Sequence, residues 1–113
     1  MIKIYHNNRC SKSRCGLELL EASGKEFEIV KYLEDTLSID ELKHIITLLG
    51  IKPIDLVRTN EPIWKLEFKD KTLTDNQIVA AMVKNPKLIE RPIVINGNKA
   101  VIGRPAEKIL EII

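Results

Sequence analysis

Ile2-Lys-Ile-Tyr-His-Asn-Asn-Arg-Cys10-Ser-Lys-Ser-Arg-Cys15 runs from a short apolar strand, Met1 to Tyr5, through a basic, Asn-rich loop into a helix that Cys10 opens. A thiol at a strand-to-helix junction faces unpaired backbone N–H groups and the positive end of the helix dipole, which favour thiolate over thiol. Lys3, Arg9, Lys12 and Arg14 all precede the first acidic residue, Glu18, so the local charge pushes the same way. Outward from this junction, Ser11 to Ala22 reads as a helix with Leu17, Leu19 and Leu20 inside and Gly24 as its stop. Phe27 to Lys31 alternates like a strand, so strand, helix and strand form a parallel, right-handed unit.

A helical middle follows. Ser38-Ile-Asp-Glu41 is a capping-box pattern opening a helix to Leu49, which Gly50 ends. Pro53 suits the first turn of a short helix ending near Val57, and Trp64 and Phe68, one helical turn apart, read as an apolar face. Thr74-Asp-Asn-Gln77 repeats the capping box, and its helix runs to Lys84 before Asn85-Pro86 breaks it. Beyond Arg91 the period shortens. Ile93–Ile95 and Ala100–Ile102 flank Asn96-Gly97-Asn98-Lys99, a hairpin signal, and Pro105 starts a last helix through Ile113. The order predicts one α/β domain over 1–113, a four-stranded mixed sheet with a helical insertion at about 35–85.

Arg91-Pro92 and Arg104-Pro105 bracket that hairpin. With Gly97-Asn98 central in the turn, paired residue numbers sum to 195 and Arg91 faces Arg104; with Asn96-Gly97 central the sum is 193, and the arginines sit a diagonal step apart. Directly opposed Cβ atoms are roughly 4.5–5.5 Å apart, where like charges repel. A residue before proline is also held out of the α region, which fixes both arginine backbones. The plain reading is a pair of solvated surface charges. The functional reading is a pair of guanidinium forks converging on a tetrahedral oxyanion, for which they are better shaped than a lysine point charge. Beside a thiolate, that is oxyanion chemistry at sulfur.

Composition narrows the classes. The chain has 113 residues, 44% hydrophobic and 30% charged, as for an ordinary globular domain with its own core. A net charge of +2 is too small to indicate nucleic acid or a membrane surface as partner. Two cysteines make no disulfide framework, the N-terminal apolar run is too short for a signal peptide, and a reducing cytoplasm is expected.

His6-Asn7-x-x-Cys10-Ser-x-Ser13-Arg14, then Arg58, Asn85-Pro86-x-Leu88-Ile89-x-Arg91-Pro92-Ile93-Val94 and Gly103-Arg104-Pro105 together resemble the glutaredoxin-coupled arsenate reductases, the ArsC-like family grouped with the Spx regulators. The resemblance spans essentially the whole chain. It implies a thioredoxin-like fold, with a cis-proline at Arg91-Pro92 facing the active cysteine. It also implies arsenate as substrate, no bound cofactor, and glutathione as reducing co-substrate. Cys10 would attack arsenic(V), while Arg58, Arg91 and Arg104 would hold the arsenate oxygens. Glutathione would follow, arsenite would leave, and glutaredoxin would reduce the Cys10–glutathione disulfide. His6, Asn7, Ser13 and Arg14 would support the anion loop, and the chain would act as a monomer. Asn8 stands where the family usually carries proline.

Other readings compete. Cys15 lies about 140° around the helix from Cys10, so a disulfide between them requires the first turn to unwind. Burial as a small apolar residue is expected, with a resolving thiol as the alternative. His6 and Cys10 lack the orienting partner of a protease dyad, and His6-x3-Cys10-x4-Cys15 lacks zinc-ligand spacing. An Spx-like regulator binding RNA polymerase would use Cys-x-x-Cys as its switch, where this chain has Ser13. A glutathione-linked thiol oxidoreductase without arsenate specificity remains open.

Overall fold

Strand β1 (Ile2–Tyr5) turns Ile2 and Ile4 inward and Lys3 outward, and it takes an interior position in a four-stranded sheet. The computed structural model describes all residues from 1 to 113. Strand β2 (Phe27–Val30) runs parallel to β1, with Ile2 beside Phe27, and forms one edge. Strand β3 (Ile93–Asn96) pairs antiparallel on the other side, Ile2 opposite Asn96, and β4 (Lys99–Ile102) completes the order β2-β1-β3-β4. This is the mixed sheet that the alternation of segments predicts.

Helix α1 (Ser11–Ser23) connects β1 to β2. Cys10 is its N-cap residue in extended conformation, and Gly24 closes it at φ +72° with its N–H on the Glu21 carbonyl. Ser13, Gly16 and Leu20 form the buried face at helical spacing, while Leu17 and Leu19 are only half-buried. Cys15 falls off that face and is exposed, contrary to the expected burial. Its angle from Cys10 says nothing about which side of α1 meets the sheet.

The hairpin pairs Asn96 with Lys99 and Ile93 with Ile102, so the register sums to 195. Gly97 alone takes a positive φ, +63°, as the first central residue of a type II′ turn does. Beyond β4, Ala106–Glu111 winds as a 3₁₀ helix rather than the expected α-helix, burying Ile109. Ile4, Leu20, Val94 and Ile109 share one fully buried core, where each such side chain contributes about 1.5–3 kcal/mol. These elements make one compact unit, Met1–Asp35 with Arg91–Ile113.

Thr36–Glu90 is a second compact unit. Helix α2 (Ile39–Leu49) starts where Ser38 Oγ accepts the Glu41 N–H at 3.1 Å, and stops at Gly50, φ +67°. Pro53–Leu56 is a 3₁₀ turn, tighter than the expected helix. In α3 (Pro62–Glu67) Trp64 is buried and stacks on Phe68 with centroids 5.4 Å apart. Helix α4 (Asp75–Lys84) carries the full capping box: Gln77 N–H on Thr74 Oγ1 at 3.2 Å and Thr74 N–H on Gln77 Oε1 at 2.8 Å. It packs against α2, burying Leu42, Ile45 and Ile46 with Ile78, Val79 and Met82.

Candidate active site

Between β1 and α1 the chain makes a loop that its own side chains hold. Asn7 Oδ1 accepts the Arg9 N–H at 3.0 Å, an Asx turn, and the Asn7 carbonyl accepts the Cys10 N–H at 3.1 Å. Arg14 Nη1 donates to the Asn8 carbonyl at 2.9 Å, tying the position that lacks proline to the helix behind it. Ser13, wholly buried, accepts the Asn7 N–H on Oγ at 3.0 Å and meets His6 Nδ1 at 2.7 Å. Burial, with the nearby charges of Lys31 and Arg14, lowers the His6 pKa against the opposing Ser13 hydrogen bond. A neutral ring results near pH 7, with Nδ1 able to accept the Ser13 hydroxyl proton.

Cys10 sits at the end of this loop, 8% exposed. Burial raises the pKa of its thiol, but the Ser13 N–H, the hydrogen bond and charge of Arg91, and the Lys12 N–H together outweigh it. The net pKa lies below the ordinary thiol value. Backbone donors of the first helical turn thus act as the sequence argument expects. The side-chain charges of Lys3, Arg9, Lys12 and Arg14 do not: none is among the causes of the shift.

Both hairpin arginines meet at this sulfur. Arg104 Nη2 lies 3.6 Å from Cys10 Sγ, and its Nε donates to the Arg91 carbonyl at 2.8 Å. Arg91 is 9% exposed, with Nε and Nη1 buried. The register makes this possible, because Gly103 N–H donates to the Pro92 carbonyl at 2.8 Å and so extends the ladder to Arg91 and Arg104. Arg91-Pro92 is cis, and so is Arg104-Pro105. One sulfur, two guanidiniums and a run of backbone N–H groups converge here, an arrangement with the chemistry to bind an anion beside a nucleophile.

Cys10, Arg91 and Arg104 therefore come together, with Asn7, Ser13, His6 and Arg14 around the loop. Arg58 belongs to the second unit, where its Nη1 pairs with Glu61 at 2.6 Å and points to the Lys87 carbonyl at 3.4 Å. Glu61 went unnoticed in the sequence, although its i, i+3 spacing from Arg58 is the signal for such a pair. No group of three or more His, Cys, Asp or Glu is placed to hold a metal ion. No helix is long and apolar enough to cross a membrane.

The ArsC family model matches residues 5–112 of the chain. The uncharacterized protein YfgD of Escherichia coli K12 is 46% identical over 114 residues, covering 99% of this chain and 96% of that one. The arsenate reductase of Haemophilus influenzae is 45% identical over 112 residues, covering 97% of each. Among solved structures, an arsenate reductase from Vibrio cholerae superposes with a TM-score of 0.94 at 45% identity, over 99% of this chain and 97% of that one.

Proposed function

Because the chain belongs to the ArsC family, we propose that it reduces arsenate to arsenite in the cytoplasm, as a single ArsC-like domain of thioredoxin-like fold over 1–113 that acts as a monomer. One observation supports this most: Arg104 Nη2 stands 3.6 Å from Cys10 Sγ while Arg91 lowers the pKa of the same sulfur. A tetrahedral anion drawn to the two guanidiniums meets the nucleophile on arrival.

The Cys10 thiolate attacks arsenic(V), forming an S–As bond as one arsenate oxygen leaves as water after protonation. Arg91 and Arg104 hold the remaining oxygens. Glutathione thiolate then attacks the Cys10 sulfur. The electron pair of the S–As bond passes to arsenic, arsenite departs, and a mixed disulfide between Cys10 and glutathione remains. Glutaredoxin reduces that disulfide with two thiol electrons and restores Cys10. His6, Asn7, Ser13 and Arg14 keep the loop in shape throughout.

Purified protein incubated with arsenate, glutathione and glutaredoxin, with NADPH oxidation followed through glutathione reductase, tests this directly. Arsenate-dependent oxidation that vanishes in Cys10→Ser and persists in Cys15→Ser is the expected result. Loss of turnover in Cys15→Ser would make the second cysteine a resolving thiol in place of glutathione. Cys10-dependent oxidation that ignores arsenate would identify a glutathione-linked thiol oxidoreductase instead.

A further inference from the structure

Gly24, Gly50 and Gly97 have the positive φ that favours glycine; Gly16 and Gly103 do not, so another reason must account for them. Gly16 lies inside α1, where alanine is ordinarily the better helix former, and both residues are buried. Each makes room for the same ring. A methyl group on Gly16 would stand 2.9 Å from Pro92 Cγ and 3.2 Å from Ile109 Cδ1. On Gly103 it would stand 3.0 Å from Pro92 Cγ and 3.1 Å from Ile109 Cδ1. Pro92 is itself buried and its ring is rigid, so it cannot swing aside as a longer chain would.

The ring occupies a junction. Pro92 follows Arg91 directly, and Gly103 precedes Arg104. The Gly103 N–H is bonded to the Pro92 carbonyl, and Arg104 Nε to the Arg91 carbonyl, each at 2.8 Å. Gly16 belongs to the helix that Cys10 opens. Both arginines and the thiol-bearing helix are thus referenced to one proline.

We propose that Gly16 and Gly103 are positioning residues: by leaving space for Pro92 against α1, they hold the guanidiniums of Arg91 and Arg104 on the Cys10 sulfur. This rests on reading Cys10 as the reactive thiol. A Cβ on Gly16 pushes the ring away from α1, and one on Gly103 pushes it away from the end of β4; in either case Arg91 moves with the ring, while Cys10 stays fixed at the helix start. Ile109 is the alternative neighbour that could yield, and its yielding would leave the arginines in place.

Iodoacetamide alkylation of Cys10 as a function of pH, in a Cys15→Ser background so that one thiol reports, separates these outcomes. Gly16→Ala and Gly103→Ala should each lower the alkylation rate at pH 6.5 about threefold or more, through a smaller thiolate fraction. Ile109→Val, which removes a methyl from the same core and adds nothing against the ring, should lower the melting midpoint but keep the parent pH profile. Alanine variants with the parent profile, or an Ile109→Val profile displaced as far as theirs, would overturn the proposal. Should Gly16→Ala fail to fold, Gly16→Ala/Ile109→Ala makes room beside the added methyl but keeps it against Pro92. The same two outcomes then apply to that variant. An unaltered protein inactive toward arsenate leaves this comparison intact, so the two readings fail separately.

Discussion

Replacing Arg104 by alanine removes a cation 3.6 Å from the Cys10 sulfur and a hydrogen bond to the Arg91 carbonyl at 2.8 Å. At that separation two unit charges interact by about 1.2 kcal/mol with full water screening and about 4.6 kcal/mol at an effective dielectric of 20. Arg104 is half-buried, which places the effect nearer the lower bound. About 1.4 kcal/mol corresponds to one pKa unit, so the thiolate fraction below the native pKa should drop roughly tenfold. Oxyanion binding should weaken as well, because losing a charge-assisted hydrogen bond costs on the order of 1.5–3 kcal/mol, or about ten- to a hundredfold. Arg104→Lys keeps the charge but loses the fork, so it should recover much of the thiolate and little of the binding. Both effects can be read in a Cys15→Ser background, the first by the pH dependence of alkylation and the second by the Michaelis constant for arsenate. An alkylation profile that overlays the parent's in Arg104→Ala would refute the reasoning, since no fold defect restores a missing charge.

Ser13→Ala deprives two groups, the Asn7 N–H and His6 Nδ1, of a wholly buried partner. It should cost about 2–4 kcal/mol, or roughly 8–16 °C in melting midpoint for a domain of this size; a fall of less than about 3 °C would show the pair to be incidental. Acidification should destabilise the fold through two groups with lowered native pKa values. The Cys10 contribution is complete above the unfolded thiol value of about 8.5 and is lost as pH falls through the lower native one. That of His6 is complete above about 6.5 and is lost on the acid side. Melting midpoints recorded from pH 9 to pH 5 should decline in both windows, and Cys10→Ser should flatten the first alone. Cys10→Ser should also bind sulfate, an inert tetrahedral dianion, more tightly than the parent at pH 8, because the resident thiolate no longer opposes it; equal affinity by calorimetry would mean that the sulfur carries no charge there.

What was legible in the sequence was local. Cys10 at a helix start, the glycine stops at 24 and 50, and the Thr74–Gln77 box depend on neighbours within four residues, and all three stand as read. The hairpin narrowed the arginine geometry to two registers, and the Asn96–Lys99 pairing selects the one that opposes Arg91 to Arg104. What was not legible depends on which side of an element meets the core. Cys15 could be placed relative to Cys10 but not relative to the sheet, and it faces solvent. The last segment has apolar residues at 109, 110, 112 and 113, yet only Ile109 is buried, and a tighter 3₁₀ winding suffices for that. Charges close in sequence misled for the same reason: Arg14 turns to the Asn8 carbonyl, and the guanidiniums that meet the sulfur come from positions 91 and 104.

Two arginines at the open end of a hairpin should repel, and the arrangement persists because the molecule supplies acceptors between and beside them. Arg104 places one nitrogen on the Arg91 carbonyl and another on the Cys10 sulfur, while Arg91 meets the same sulfur. On the proposed reading the Cys10 thiolate is both nucleophile and resident counter-ion. In the proposed cycle this role changes hands. Bonding to arsenic consumes the charge on sulfur, but the bound oxyanion brings its own, so the guanidiniums stay compensated through the adduct. Only the mixed disulfide, formed as arsenite leaves, combines an uncharged sulfur with the loss of the bound oxyanion and leaves the pair uncompensated. That state is the least favourable of the cycle electrostatically, and the same cations stabilise the thiolate leaving group when the disulfide is attacked. The charge arrangement that activates Cys10 for the first step thus also drives its release in the last.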